Sequence, residues 1–173
     1  RAAALGAHDV DGARLRFPPH RIAELDDLRS LGGQVQAAPA AALMMVATSD
    51  LSGPVGSIKE VQAATKALAG AAHQAEPTSL LAAAFGSGID TDMLKQVREL
   101  APTKDKLLDI VKAGAASVAS KSPAEAAAYK ATILAVAKAA AEASKEGGFL
   151  GIGGTLVSKD EQAALDQLSA ALG

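Results

Sequence analysis

The chain has 173 residues, enough for one domain with its own core, and its 49% hydrophobic content includes only 2% aromatics. A formal charge of −2, with acids and bases interspersed, leaves no basic face for nucleic acid and no basic amphipathic stretch for a membrane surface. With no Cys, disulfides, thiolate catalysis and Cys-held metals are excluded, and no uninterrupted apolar run reaches the roughly 18 residues of a membrane span.

Residues 1–20 lack periodicity and include Pro18 and Pro19, so they read as an irregular tail, with a processing remnant one origin for it. Arg1 to Ala7 is too short for the apolar core of a signal peptide, and a cytoplasmic location is expected. A single helical domain is expected over 21–173. Ile22, Leu25, Leu28 and Leu31 recur at three residues and predict a first helix from about Arg21, ended or kinked at Gly32-Gly33. Pro39 suits the first turn of a second helix, from Ala40 to about Asp50, carrying Leu43, Met44 and Val46. A glycine-containing crossing follows, Ser49-Asp-Leu-Ser-Gly-Pro-Val-Gly-Ser57.

Three Ser-x-x-Glu patterns then predict helix starts: Ser57 with Glu60, Ser122 with Glu125, and Ser158 with Glu161. In such a capping box the Ser hydroxyl accepts from the third helical amide while the Glu carboxylate accepts from the Ser amide. The first box opens a helix from Ile58 to about Gln74. Pro77 opens a short helix through Leu80, Leu81 and Phe85, which Gly86 stops. Asp90 caps one through Met93, Val97 and Leu100, and Thr103 caps the next, with Leu107, Val111, Ala115 and Val118 on one stripe. From Pro123 to about Lys145 the longest helix places Tyr129, Ile133, Val136, Ala140 and Ala143 at a 4-3-4-3 spacing, a coiled-coil seam. The last helix carries Leu165, Leu168 and Leu172. No segment alternates with the period of a strand. The fold expected is all-α, a compact bundle of seven to eight helices with two Gly-rich crossings. Ala makes up roughly a quarter of the chain, well above average usage, and gives it a bacterial flavour. Alanine favours helix and lets axes approach closely, but each one buries little area.

The second crossing, Glu146-Gly-Gly-Phe-Leu-Gly-Ile-Gly-Gly-Thr-Leu-Val-Ser158, is glycine-dense and apolar. Gly147, Gly148, Phe149, Gly151, Gly153 and Gly154 make it the candidate binding segment, and Gly151-Ile-Gly-Gly154 ahead of the helix from Ser158 has the ingredients of an anion cradle, because amides in a glycine-rich turn at a helix N-terminus attract anions. No Lys-Ser/Thr follows as in a P-loop and no strand precedes it, so a crossing that plugs Phe149 and Ile152 into the core is the plainer reading. Acidic residues around the two crossings suggest a divalent-cation site. Glu142 and Glu146 lie one turn apart, Asp160 and Glu161 open the next helix, and Asp50 with Glu60 forms the parallel set. Carboxylates in a first helical turn are also ordinary dipole partners, and Glu142 beside Lys138 is an ordinary solvated face. His8, His20 and His73 are isolated in the sequence, and Ser has no nucleophile elbow.

From Ala137 to Leu172 the order is a small-residue helix, Glu146-Gly147, a crossing, Val157-Ser-Lys-Asp-Glu161 and a Leu-spaced helix. This order resembles the TerB-like (tellurite-resistance B-like) helical family. The resemblance implies an all-helical fold, acidic metal-binding residues around the turns and a stress-response role at the inner face of the membrane. Carried over, Glu146 and Asp160 would be the metal residues, with Asp50 in the first half. The chain differs in having Glu where the family usually has Asp, and an insertion from Phe149 to Thr155. The crossing is also similar to segments of uncharacterised bacterial helical proteins. Together these features point to a non-catalytic binding module that takes a protein partner or a second copy of itself, for which an exposed stripe at Tyr129, Ile133 and Val136 is expected. The alternatives are a TerB-like cation-binding protein and an acid–base enzyme using loop carboxylates. No cofactor is expected beyond a divalent cation.

Overall fold

A computed structural model describes residues 31–49, 53–86, 88–143 and 157–173. These residues form seven α-helices and no strand: α1 (Leu31–Ala47), α2 (Gly53–Gln74), α3 (Leu80–Phe85), α4 (Thr91–Leu100), α5 (Lys104–Lys121), α6 (Ala126–Ala143) and α7 (Lys159–Leu172). A 3-10 turn, Pro123–Glu125, leads into α6. The all-α expectation holds. The predicted tail, and the predicted helix before Leu31, lie outside the described residues.

Helix α1 is the centre of the bundle. Ala37, Ala38, Ala40, Ala41, Ala42, Leu43, Met45 and Val46 are all buried, and the helix packs against α2 to α7. From Ala37 to Ala47 the helix is apolar on every face, and such a stretch belongs inside. Around it lie Leu68 of α2, Phe85 of α3, Val97 of α4, Val111 of α5, Ile133 of α6 and Leu168 of α7, each fully buried.

The expectation that Gly32-Gly33 and Pro39 divide this region into two helices is corrected. Leu31–Ala47 is one helix with Pro39 inside it. A proline in a helix interior has no amide for the carbonyl four residues back, which here belongs to Val35. The hydroxyl of Tyr129 on α6 fills that role, donating to the Val35 carbonyl at 2.7 Å in a buried setting. Gly114 of α5 makes room for the arrangement. A Cβ there would lie 2.7 Å from Ala38 Cβ, 2.8 Å from the Gln34 carbonyl oxygen and 2.9 Å from Tyr129 Oη. The Tyr129 ring also stacks on Phe85, with centroids 6.3 Å apart. The end of α1 is closed by hydroxyls: Thr48 Oγ1 donates to the Met44 carbonyl at 2.7 Å and Ser49 Oγ to the Met45 carbonyl at 2.6 Å.

The three capping boxes have three outcomes. Ser158 and Glu161 form the reciprocal pair, with Ser158 N donating to Glu161 Oε2 at 2.7 Å and Glu161 N to Ser158 Oγ at 3.2 Å. Ser57 opens nothing, because α2 begins at Gly53, where Pro54 has the fixed φ that a first turn favours. The first glycine crossing is therefore shorter than expected, and Glu60 lies inside α2 at 1% exposure. Ser122 precedes the 3-10 turn without a side-chain cap, and Glu125 turns to another helix. Its Oε2 accepts from Leu80 N at 2.7 Å, supplying an acceptor for the orphan amides at the start of α3 beside the Ser79 cap.

Candidate functional site

The 4-3-4-3 seam of α6 faces inward. Tyr129, Ile133, Val136 and Ala140 are fully buried, which corrects the expectation of an exposed stripe at Tyr129, Ile133 and Val136. The seam is consumed by the contacts of α6 with α1 and α2. The same is true of α2, whose inward line is Glu60, Ala64, Leu68 and Ala72.

The outer flanks of these two helices are different. Between α2 and α6 runs a shallow groove of about 610 Å³. Its walls are small: Ala63, Ala67, Gly70 and Ala71 from α2, Ala139 and Ala143 from α6. A Cβ added at Gly70 would meet nothing within 4 Å, so the α2 backbone is bare at that point. Lys66 stands on the α2 side and Glu142 on the α6 side. Glu142 Oε1 is 3.8 Å from Lys138 Nζ, an exposed ion pair of little energetic weight. Small walls let another helix backbone approach closely, and the two opposite charges set a direction for whatever lies there.

A second, smaller groove lies between α6 and α7, about 370 Å³, lined by half-buried Leu134, Val157 and Leu165. Its polar lining includes Lys138 and Asp166, and Asp166 accepts from Gln162 Nε2 at 2.8 Å.

Most sequence-predicted site residues lie outside the described residues: Asp50, Glu146, Gly147, Gly148, Phe149, Gly151, Gly153 and Gly154. Of the metal candidates Asp160 is described, exposed in the first turn of α7, where its charge complements the helix dipole. Glu161 is buried and occupied by the capping box. His73 is exposed near the end of α2. No group of three or more His, Asp or Glu able to hold a metal occurs among the described residues. None of the helices among them is long and apolar enough to cross a membrane.

Sequence reasoning missed the groove between α2 and α6. The signal available was the run of small residues at 63, 67, 70, 71, 139 and 143. The buried line one position away is also largely alanine, so residue type alone does not say which flank faces out. A comparison with family models, characterised proteins and solved structures finds no match to this chain.

Proposed function

We propose that this chain is a helical interaction module that associates with a second copy of itself through the groove between α2 and α6. The observation that carries the reading is that groove: an open, small-walled channel on the outer flank of two long helices, with Lys66 on one side and Glu142 on the other. A two-fold pairing uses the same patch on both copies. Setting α2 of one copy over α6 of the other brings Lys66 toward Glu142 twice, so the charges are self-complementary.

The test is sedimentation velocity across a concentration series. Wild type is expected to populate a dimer, Lys66→Glu to shift it to monomer, and Lys66→Glu combined with Glu142→Lys to restore it. A wild type that stays monomeric at all concentrations, or a double variant no better than the single one, overturns the reading. The TerB-like cation reading rests on Glu146 and Asp160 converging. Nothing among the described residues favours it over the groove.

A further inference from the structure

We draw no further inference here: the strongest candidate, the shallow groove between α6 and α7 walled by Leu134, Val157 and Leu165, is an unpartnered apolar face, and nothing in the structure shows what covers it.

Discussion

Replacing Tyr129 by Phe removes one oxygen and leaves the ring, its stacking on Phe85 and the core volume almost unchanged. What is lost is the 2.7 Å hydrogen bond to the Val35 carbonyl, in a setting where Val35 is 3% and Tyr129 0% exposed. Residue 39 is proline, so the amide four residues on, which an α-helix would supply, is missing. Leaving a buried acceptor unmatched costs about 1–3 kcal/mol. At about 2 kcal/mol, and about 2–4 °C per kcal/mol for a chain of this size, the Tm should fall by roughly 4–8 °C. Pro39→Ala returns the missing amide to the Val35 carbonyl. In that background Tyr129→Phe should cost less, with a coupling of at least about 1 kcal/mol between the two positions. The assay is thermal and urea unfolding followed by far-UV circular dichroism, since the chain has no Trp and Tyr129 is its single Tyr. A Tyr129→Phe variant within about 0.5 kcal/mol of wild type, or an equal cost in both backgrounds, refutes the claim that the hydroxyl substitutes for the missing amide.

Two more expectations concern solution conditions. Burial pushes the Tyr129 hydroxyl well above its ordinary value of 10.0. Because the folded value is raised, this contribution to stability is complete below about pH 10 and is lost as pH rises above it, toward the folded value. Tyrosinate absorbance should therefore appear together with the loss of helical signal, and a native protein that ionises its Tyr at the ordinary value would contradict the buried placement. In the second case, millimolar Ca²⁺, Mg²⁺ or Mn²⁺ should leave the Tm at its value in EDTA. A cation present at a hundred times its Kd would add about 2.7 kcal/mol, and a rise of that size abolished by Glu146→Ala would favour the TerB-like reading over the groove.

The elements that were legible in the sequence are those whose signals are local. Asp90 and Thr103 cap α4 and α5, and Ser158 with Glu161 opens α7, as short-range hydrogen-bond patterns predict. Where the sequence misleads, the deciding contact is distant or the competing signal lies just upstream. Pro39 reads as a helix start because a proline interrupts the backbone ladder. The donor that repairs the interruption is 94 residues from the Val35 carbonyl it serves. Glu125 reads as a cap for its own helix, and its carboxylate instead serves an amide 45 residues earlier. Ser57 and Glu60 have the same pattern as Ser158 and Glu161, but Pro54 starts the helix first. The seam of α6 was visible as a seam. Its direction was not, because an apolar spacing is the same whether a helix completes its own core or a partner's. The groove is harder still: alanines on the buried and open flanks of α2 are chemically identical, and only the placement of α6 distinguishes them.

Two glycines in helix interiors make that distinction measurable. Glycine in a helix costs roughly 1 kcal/mol relative to alanine, so something must offset it where it persists. At Gly114 the offset is visible: an added Cβ would press within 2.9 Å of Tyr129 Oη and within 2.8 Å of a backbone carbonyl that cannot withdraw. Gly114→Ala should therefore destabilise by about 1–3 kcal/mol despite its better helix propensity. At Gly70 an added Cβ meets nothing within 4 Å, so nothing described in the single copy offsets the cost. Gly70→Ala should raise stability by up to about 1 kcal/mol when unfolding is measured at concentrations where the chain is monomeric. If a second helix backbone lies close over Gly70, the same methyl group should weaken dimerisation in sedimentation experiments. The two effects have opposite signs and are read by separate measurements. A Gly70→Ala variant that is more stable and dimerises as well as wild type would remove Gly70 from any interface, and with it the central contact of the proposed pairing.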